Sequence, residues 1–315
     1  MGEIKTLSYE DYLQRMLAAE RPGAEKVLAF TDYRVGAICK DPRLMLCPLD
    51  DHLVHRGDGI FETVKYIDRK VYLLDKHMQR MKNSAESIKL LPPCSWEKVR
   101  DLILDTARAG GEDNGLVRVL LGRGPGGFGI DPHECPKPSL YIAAYKFKPK
   151  PEEFYTKGTT ACRAVIPAKQ DWLAKIKSVN YLPNALMRLD AAEKGCDYTL
   201  CFDEQGFLAE GAIENVGLLE NSGTLVIPEF TNALPGTTLL RALDLIKGDP
   251  PVMFRPVREQ EIFDARELMT FGTTGDCVSI VRYEGRPIHD ARPGKLAARI
   301  RGLLREDLQE NGLPL

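Results

Sequence analysis

Ile176-Lys177-Ser178-Val179-Asn180-Tyr181-Leu182-Pro183-Asn184, followed about one helix and one strand later by Leu208-Ala209-Glu210-Gly211-Ala212-Ile213-Glu214-Asn215, is the part of this chain on which fold and chemistry turn. It brings together a lysine, a phenol, a helix start and a carboxylate in what reads as a Gly-flanked turn. An amine that bonds a carbonyl needs such company, because it must be positioned and its proton made easy to lose. A phenol can meet a ring oxygen, and a carboxylate can keep a ring nitrogen protonated so that the ring withdraws electrons. The plainer reading is that Lys177, like most of the 43 Lys and Arg, is solvated surface.

Composition narrows the classes. The chain has 315 residues, 43% hydrophobic and 28% charged, which suits a globular protein of one large or two medium domains. A net charge of −2 supplies no field for nucleic acid or an anionic membrane. No apolar run is long enough to span a bilayer, and MGEIKTLSYEDYLQRMLAAE lacks an apolar signal core. Gly2 matches a myristoylation signal only minimally, so no lipid anchor is expected. The eight cysteines form no CxxC pair, and neither they nor the five histidines cluster at ligand spacing. Reduced thiols, a cytoplasmic location and no metal are expected.

Along the chain, residues 9–19 read as a short amphipathic helix ended by Pro22-Gly23. Residues 27–30, 37–38 and 44–46 read as short strands of a cover or dimer arm. After the HRGDG turn, residues 60–67 alternate as a strand, residues 71–74 form a second, and Asp75 is placed to cap a helix from 76 to about 88. Residues 96–109 read as another helix, with buried strands at 116–121 and 140–147. Between those strands lies GRGPGGFGIDPHECPKP. Prolines follow it where a dinucleotide fingerprint needs a helix, so it reads as a mobile loop over a site. KPKPEE, at 148–153, is the best linker candidate. Beyond it, strands (158–166, 198–202, 216–219, 224–227) accompany helices (184–194, 238–247, 296–311). No internal repeat or low-complexity tract is present.

IKSVNYLPNAL followed by LAEGAIEN resembles the class IV, fold-type IV, pyridoxal-phosphate aminotransferases. The resemblance covers residues from about 46 to about 288. Within the family, PLDDHLVHRGDGIFET and KSVNYLPNAL are most like the plant D-amino acid transaminases. The resemblance implies a two-domain α/β (α+β) fold: a small α/β domain with an N-terminal arm (1–147), a linker (148–156), and a larger pseudo-barrel α/β domain carrying the lysine (157–315). It implies pyridoxal 5'-phosphate as cofactor, an amino acid and a 2-oxo acid as substrates, and a homodimer in which Arg56 or the loop at 124–130 crosses between subunits.

The resemblance also implies site residues. Lys177 matches the lysine that bonds the cofactor and shuttles the proton, Tyr181 the partner of the ring hydroxyl, and Glu210 the partner of the pyridine nitrogen. Arg80 in HMQR, Thr237 and Thr238 in LPGTT, and Thr273 in FGTTGD match the phosphate site. On their residues alone, Arg80 could be a solvated arginine, Thr237 an ordinary helix cap, and Thr273 part of a Gly-Thr turn. Phe61, Thr274, Arg56 and Arg118 are candidates for binding substrate. Arg56 replaces an aromatic, and Arg118 alternates out of an apolar strand. Gripping an α-carboxylate competes with structural roles, in which Arg56 pairs with Asp51 or Asp58 and Arg118 with a buried carboxylate. A transaminase with D-amino acids favoured is expected. The alternatives are a branched-chain L-amino acid aminotransferase and a 4-amino-4-deoxychorismate lyase, with a non-enzymatic cofactor-binding module as the outside case. Glu62 stands where lyases of the family carry a threonine.

Overall fold

The computed structural model describes residues 4–315, so Gly2 lies outside it. Two curled sheets carry the chain. The first runs in the order Leu313–Pro314, Lys70–Val71, Gly59–Ile67, Gly115–Gly122, Ser139–Lys146, Val27–Asp32, Ala37–Cys39, with every neighbouring pair antiparallel. Strand alternation sorts its side chains between the faces. Ile60, Val64, Tyr66, Val117, Val119, Leu121 and Ile142 pack against Met78, Met81, Ile103 and Leu104 of the helices Leu74–Ser87 and Trp96–Gly110. The opposite face presents Phe61 opposite Leu120 and Thr63 opposite Arg118.

The second sheet is mixed. Its order is Val252–Arg255, Leu225–Pro228, Asn215–Leu219, Glu267–Gly272, Asp276–Tyr283, Thr159–Arg163, Tyr198–Phe202, Leu208–Gly211, and Arg286–Pro287 pairs with Asp276–Tyr283. The helices Thr237–Ile246 and Lys295–Asn311 bury Leu239, Ala242, Ile300 and Leu304 against it. Except for Leu313–Pro314, strands before residue 147 belong to the first sheet and those from Thr159 onward to the second.

The sheets are joined where the lysine lies. Gly59–Ile67 has a free edge at its start, and residues 177–179 fill it. Phe61 N–H donates to Lys177 O at 2.9 Å, and Val179 N–H donates to Gly59 O at 3.0 Å. Behind them Lys65, buried, pairs with Asp276, and Tyr72 donates to Asp307 at 2.7 Å.

Several elements differ from expectation. Residues 44–46 form no strand, because Pro42 at the start of the segment favours the tight turn Pro42–Leu44. Of 71–74 only Val71 is in a strand. Leu73 takes a left-handed conformation (φ 55°) and starts the helix itself, leaving Asp75 in the first turn rather than at the cap. The strand expected at 158–166 stops at Arg163. Glu210 lies in the strand Leu208–Gly211 rather than a turn, since Gly211 pairs with Leu200.

Candidate active site

Local sequence explains how the lysine is held. Pro183 favours the first turn of the helix Leu182–Glu193, and Tyr181 caps its start. Upstream, the extended residues 177–179 hydrogen-bond the strand edge, and Ser84 Oγ accepts from the Lys177 N–H at 3.1 Å. Lys177 Nζ is thereby fixed 3.0 Å from the Tyr181 hydroxyl and 4.7 Å from the Phe61 ring centroid. Phe61 and Tyr181 meet edge to face at 4.7 Å.

Lys177 and Tyr181 line two adjoining pockets. The inner one adds Arg80, Lys169, Glu210, Thr237, Thr238 and Thr273, and the outer one adds Phe61, Thr63, Arg118, Tyr145, Lys150 and Thr274. Burial, then the nearby Arg80 charge, pushes Lys177 down to about 8. Tyr181 is raised by burial and by Glu210, so its proton stays. Burial pushes Glu210 up to about 7, against the Leu234 N–H, which donates to it at 3.1 Å, and against Lys169 and Lys177.

At the far end of the inner pocket the helix Thr237–Ile246 begins. A Cβ at its Gly236 would lie 2.0 Å from Asn215 Oδ1 and would push that side chain aside. No side chain caps the helix, so its first N–H groups remain available to an anion. Arg80 stands beside this start, donating to Pro235 O at 3.2 Å. It is no solvated arginine: Nε and Nη2 donate to Glu62 at 2.7 and 2.9 Å. Glu62 also accepts from His77 Nδ1 at 2.7 Å. Burial would raise the Glu62 carboxyl, but Arg80 and then His77 outweigh it and hold it far below its usual range. Burial lowers His77 against the pull of Glu62, so the ring is neutral. Its Nε2 is left as an acceptor, facing the Thr237 hydroxyl at 3.3 Å.

Of the residues singled out from sequence, Lys177, Tyr181, Glu210, Arg80, Thr237, Thr238 and Thr273 meet around the inner pocket, and Phe61, Arg118 and Thr274 around the outer. Arg56 lines neither. It donates to Gly129 O at 2.7 Å and also to Phe128 O, holding the Gly-rich loop on the surface. The carboxylate Asp58 is taken by Arg123 at 2.9 Å instead. Among the described residues Arg118 has no carboxylate partner; it lies over Phe61 at 5.1 Å, 3.5 Å from the Tyr145 hydroxyl. Sequence reasoning missed Glu62 and His77 as partners of Arg80. The signal was there: His77 and Arg80 are three apart on one helix face, above an acidic residue of the neighbouring strand.

Residues 59–283 match the amino-transferase class IV family, and the chain belongs to that family. It is therefore a transaminase, of a class whose cofactor is pyridoxal 5'-phosphate. The D-amino-acid transaminase, chloroplastic, of Arabidopsis thaliana is 34% identical over 97% of this chain and 83% of that one. The branched-chain-amino-acid aminotransferase of Escherichia coli K12 is 24% identical over 79% of this chain and 84% of that one. The structure of the T.th. branched-chain amino acid aminotransferase with pyridoxamine 5'-phosphate superposes with a TM-score of 0.85. It covers 90% of this chain and 95% of that one at 23% identity, a likeness of fold. No helix of the described residues is long and apolar enough to cross a membrane.

Proposed function

We propose that Lys177 is the amine that bonds the cofactor and carries the proton of transamination, with Tyr181 toward the ring hydroxyl and Glu210 toward the pyridine nitrogen. Arg80, Thr237, Thr238 and Thr273 then hold the phosphate. The observation that carries this reading is the inner pocket itself, with an amine and a phenol 3.0 Å apart, a half-buried carboxylate, and an uncapped helix start beside a guanidinium. Bound pyridoxal phosphate supplies a ring that accepts electrons. With its amine near 8, Lys177 is partly unprotonated at neutral pH and able to take a proton from a substrate carbon. Tyr181, which keeps its proton, orients that amine. Because the Thr237 hydroxyl donates its hydrogen bond to His77 Nε2, Thr237 offers a phosphate its backbone N–H rather than its hydroxyl. A visible band that borohydride fixes on a peptide containing Lys177 tests the assignment. Absence of label there sinks it.

For substrates we infer a preference for D-amino acids, with a 2-oxo acid as acceptor. Arg118 supports this, because among the described residues its guanidinium, at the wall of the outer pocket, has no carboxylate partner and can grip one from a substrate. Arg56 serves from a second subunit in this reading. It and the loop at 124–130 form one exposed unit, suited to reach across a homodimer. In this reading the chain forms two domains, 1–147 and 157–315, joined by a linker at 148–156, the end of which lies in the short helix Glu152–Lys157. All eight cysteines are free, as in a reducing compartment such as the cytoplasm. Turnover of both enantiomers of alanine, glutamate and leucine decides between D-amino acid and branched-chain L-amino acid donors. Release of pyruvate from aminodeoxychorismate would single out a lyase.

A further inference from the structure

Lys169 is the lysine of the inner pocket that has no role so far. It lies on the segment leading from the strand Thr159–Arg163 to the turn Asp171–Ala174, and the Ala168 N–H, donating to Phe202 O at 3.0 Å, pins that segment to the second sheet. Its ammonium lines the cavity with Lys177, Tyr181 and Glu210, and stands over the Tyr181 ring, 4.7 Å from the centroid. Among the described residues it takes part in no ion pair. Burial lowers it, and the charge that opposes the lowering is first Glu210, then Cys201. A half-buried ammonium without a carboxylate is costly to keep. The face of Tyr181 offsets part of that cost, because an aromatic face attracts a cation.

Glu210 has the complementary difficulty. It is a half-buried carboxylate whose direct hydrogen-bond donor is one backbone N–H, from Leu234, and Glu214 adds like charge nearby. The two cations acting on it are Lys169 and Lys177. They are not equivalent. Lys177 gives up its fixed charge when its amine bonds the cofactor or trades protons, whereas no step of that reaction consumes the charge of Lys169.

We propose that Lys169 is a positioning residue for the cofactor ring: held over Tyr181, it supplies the positive charge that keeps the Glu210 carboxylate anionic opposite a pyridine nitrogen. This rests on the assignment of Glu210 given above. Lys169 acts through Glu210 and does not touch the reacting atoms.

The test uses the full chain stripped of cofactor and reloaded with pyridoxal 5'-phosphate or with its analogue whose ring nitrogen is replaced by carbon. Wild type should bind pyridoxal phosphate more tightly than the analogue, since Glu210 can grip a protonated nitrogen but not a C–H. Lys169→Met should shrink that preference about tenfold for each unit by which Glu210 rises, with the analogue's own affinity unchanged. Lys169→Arg should restore it. The pH at which the visible band of the bound cofactor changes should move in Lys169→Met and return in Lys169→Arg. A preference that survives intact in Lys169→Met overturns this proposal alone. An equal loss of affinity for both compounds makes Lys169 a mere shaper of the cavity, and overturns it too. If wild type binds both compounds equally, the Glu210 assignment fails, and this proposal with it.

Discussion

Arg80→Ala should strike stability and cofactor binding through two separable routes. Glu62 exposes 2% of its side chain and is held by Arg80 at 2.7 and 2.9 Å and by His77 at 2.7 Å. Without the guanidinium, an anion remains in the core beside a neutral imidazole. Removing one partner of a buried pair costs about 3–5 kcal/mol, a large part of the roughly 5–15 kcal/mol that holds a domain folded. The apo variant should therefore unfold at clearly lower urea at pH 7.5. Separately, the lost charge-assisted bond of about 1.5–3 kcal/mol should weaken pyridoxal phosphate binding roughly ten- to a hundredfold. Arg80→Ala with Glu62→Gln removes the stranded charge, so most of the stability should return while cofactor affinity stays low. In wild type the depressed Glu62 contributes fully above the unfolded carboxylate value of about 4.3, and its contribution is lost as pH falls below that. In Arg80→Ala the carboxyl rises, so the variant's deficit should shrink between pH 7.5 and pH 5.5. Urea midpoints at the two pH values, with cofactor fluorescence for affinity, give every term. A single variant as stable as wild type at pH 7.5, or a double variant no better than the single, refutes the stranded-charge argument.

Other outcomes follow from the same site. Lys177→Ala should bind pyridoxal phosphate without the borohydride-fixable band of wild type, and a band of normal strength would count against Lys177. Glu210, raised to about 7, stabilises the apo protein most below about 4.5, and that contribution is lost as pH rises through 7. Wild-type apo protein should thus lose urea resistance between pH 6 and pH 8 relative to Glu210→Gln, and parallel curves would contradict the raised carboxyl. Light scattering should give a dimer, and Arg56→Ala should speed hydrogen exchange at 124–130 while raising KM; a fully active monomer would disprove the shared site. D-alanine or D-glutamate should support turnover that Arg118→Ala weakens through KM. Reaction with L-leucine, L-valine or L-isoleucine alone would move the assignment to the branched-chain enzymes.

The parts of this molecule visible in its sequence are those written locally. Lys177 to Asn184 carries an extended run, a proline-started helix and a phenol within one stretch, and the helix Leu182–Glu193 follows. The helix Thr237–Ile246 is announced by its preceding Pro-Gly. What stayed hidden depends on partners far apart in the chain. Glu62 looks like an odd acidic residue in an apolar strand until the helix above it supplies Arg80 and His77. Lys169 looks like any loop lysine until the second sheet pins it over Tyr181. Arg56 was a candidate for gripping a substrate carboxylate, with Asp51 or Asp58 as its structural alternative, but the carbonyls of Phe128 and Gly129 in the Gly-rich loop take it. The strands Glu267–Gly272 and Asp276–Tyr283 were noticed only as the turn between them, because runs buried on both faces lack alternation.

Leu313 pairs with Val71, about 240 residues earlier, and so closes the first sheet with the last strand of the chain. During synthesis that edge must wait, unpaired, until the segment around Leu313 has emerged. A nascent chain halted anywhere in its second half would carry the helix with Arg80 and the buried Glu62 already in place, yet expose the Lys70–Val71 edge to any extended peptide nearby.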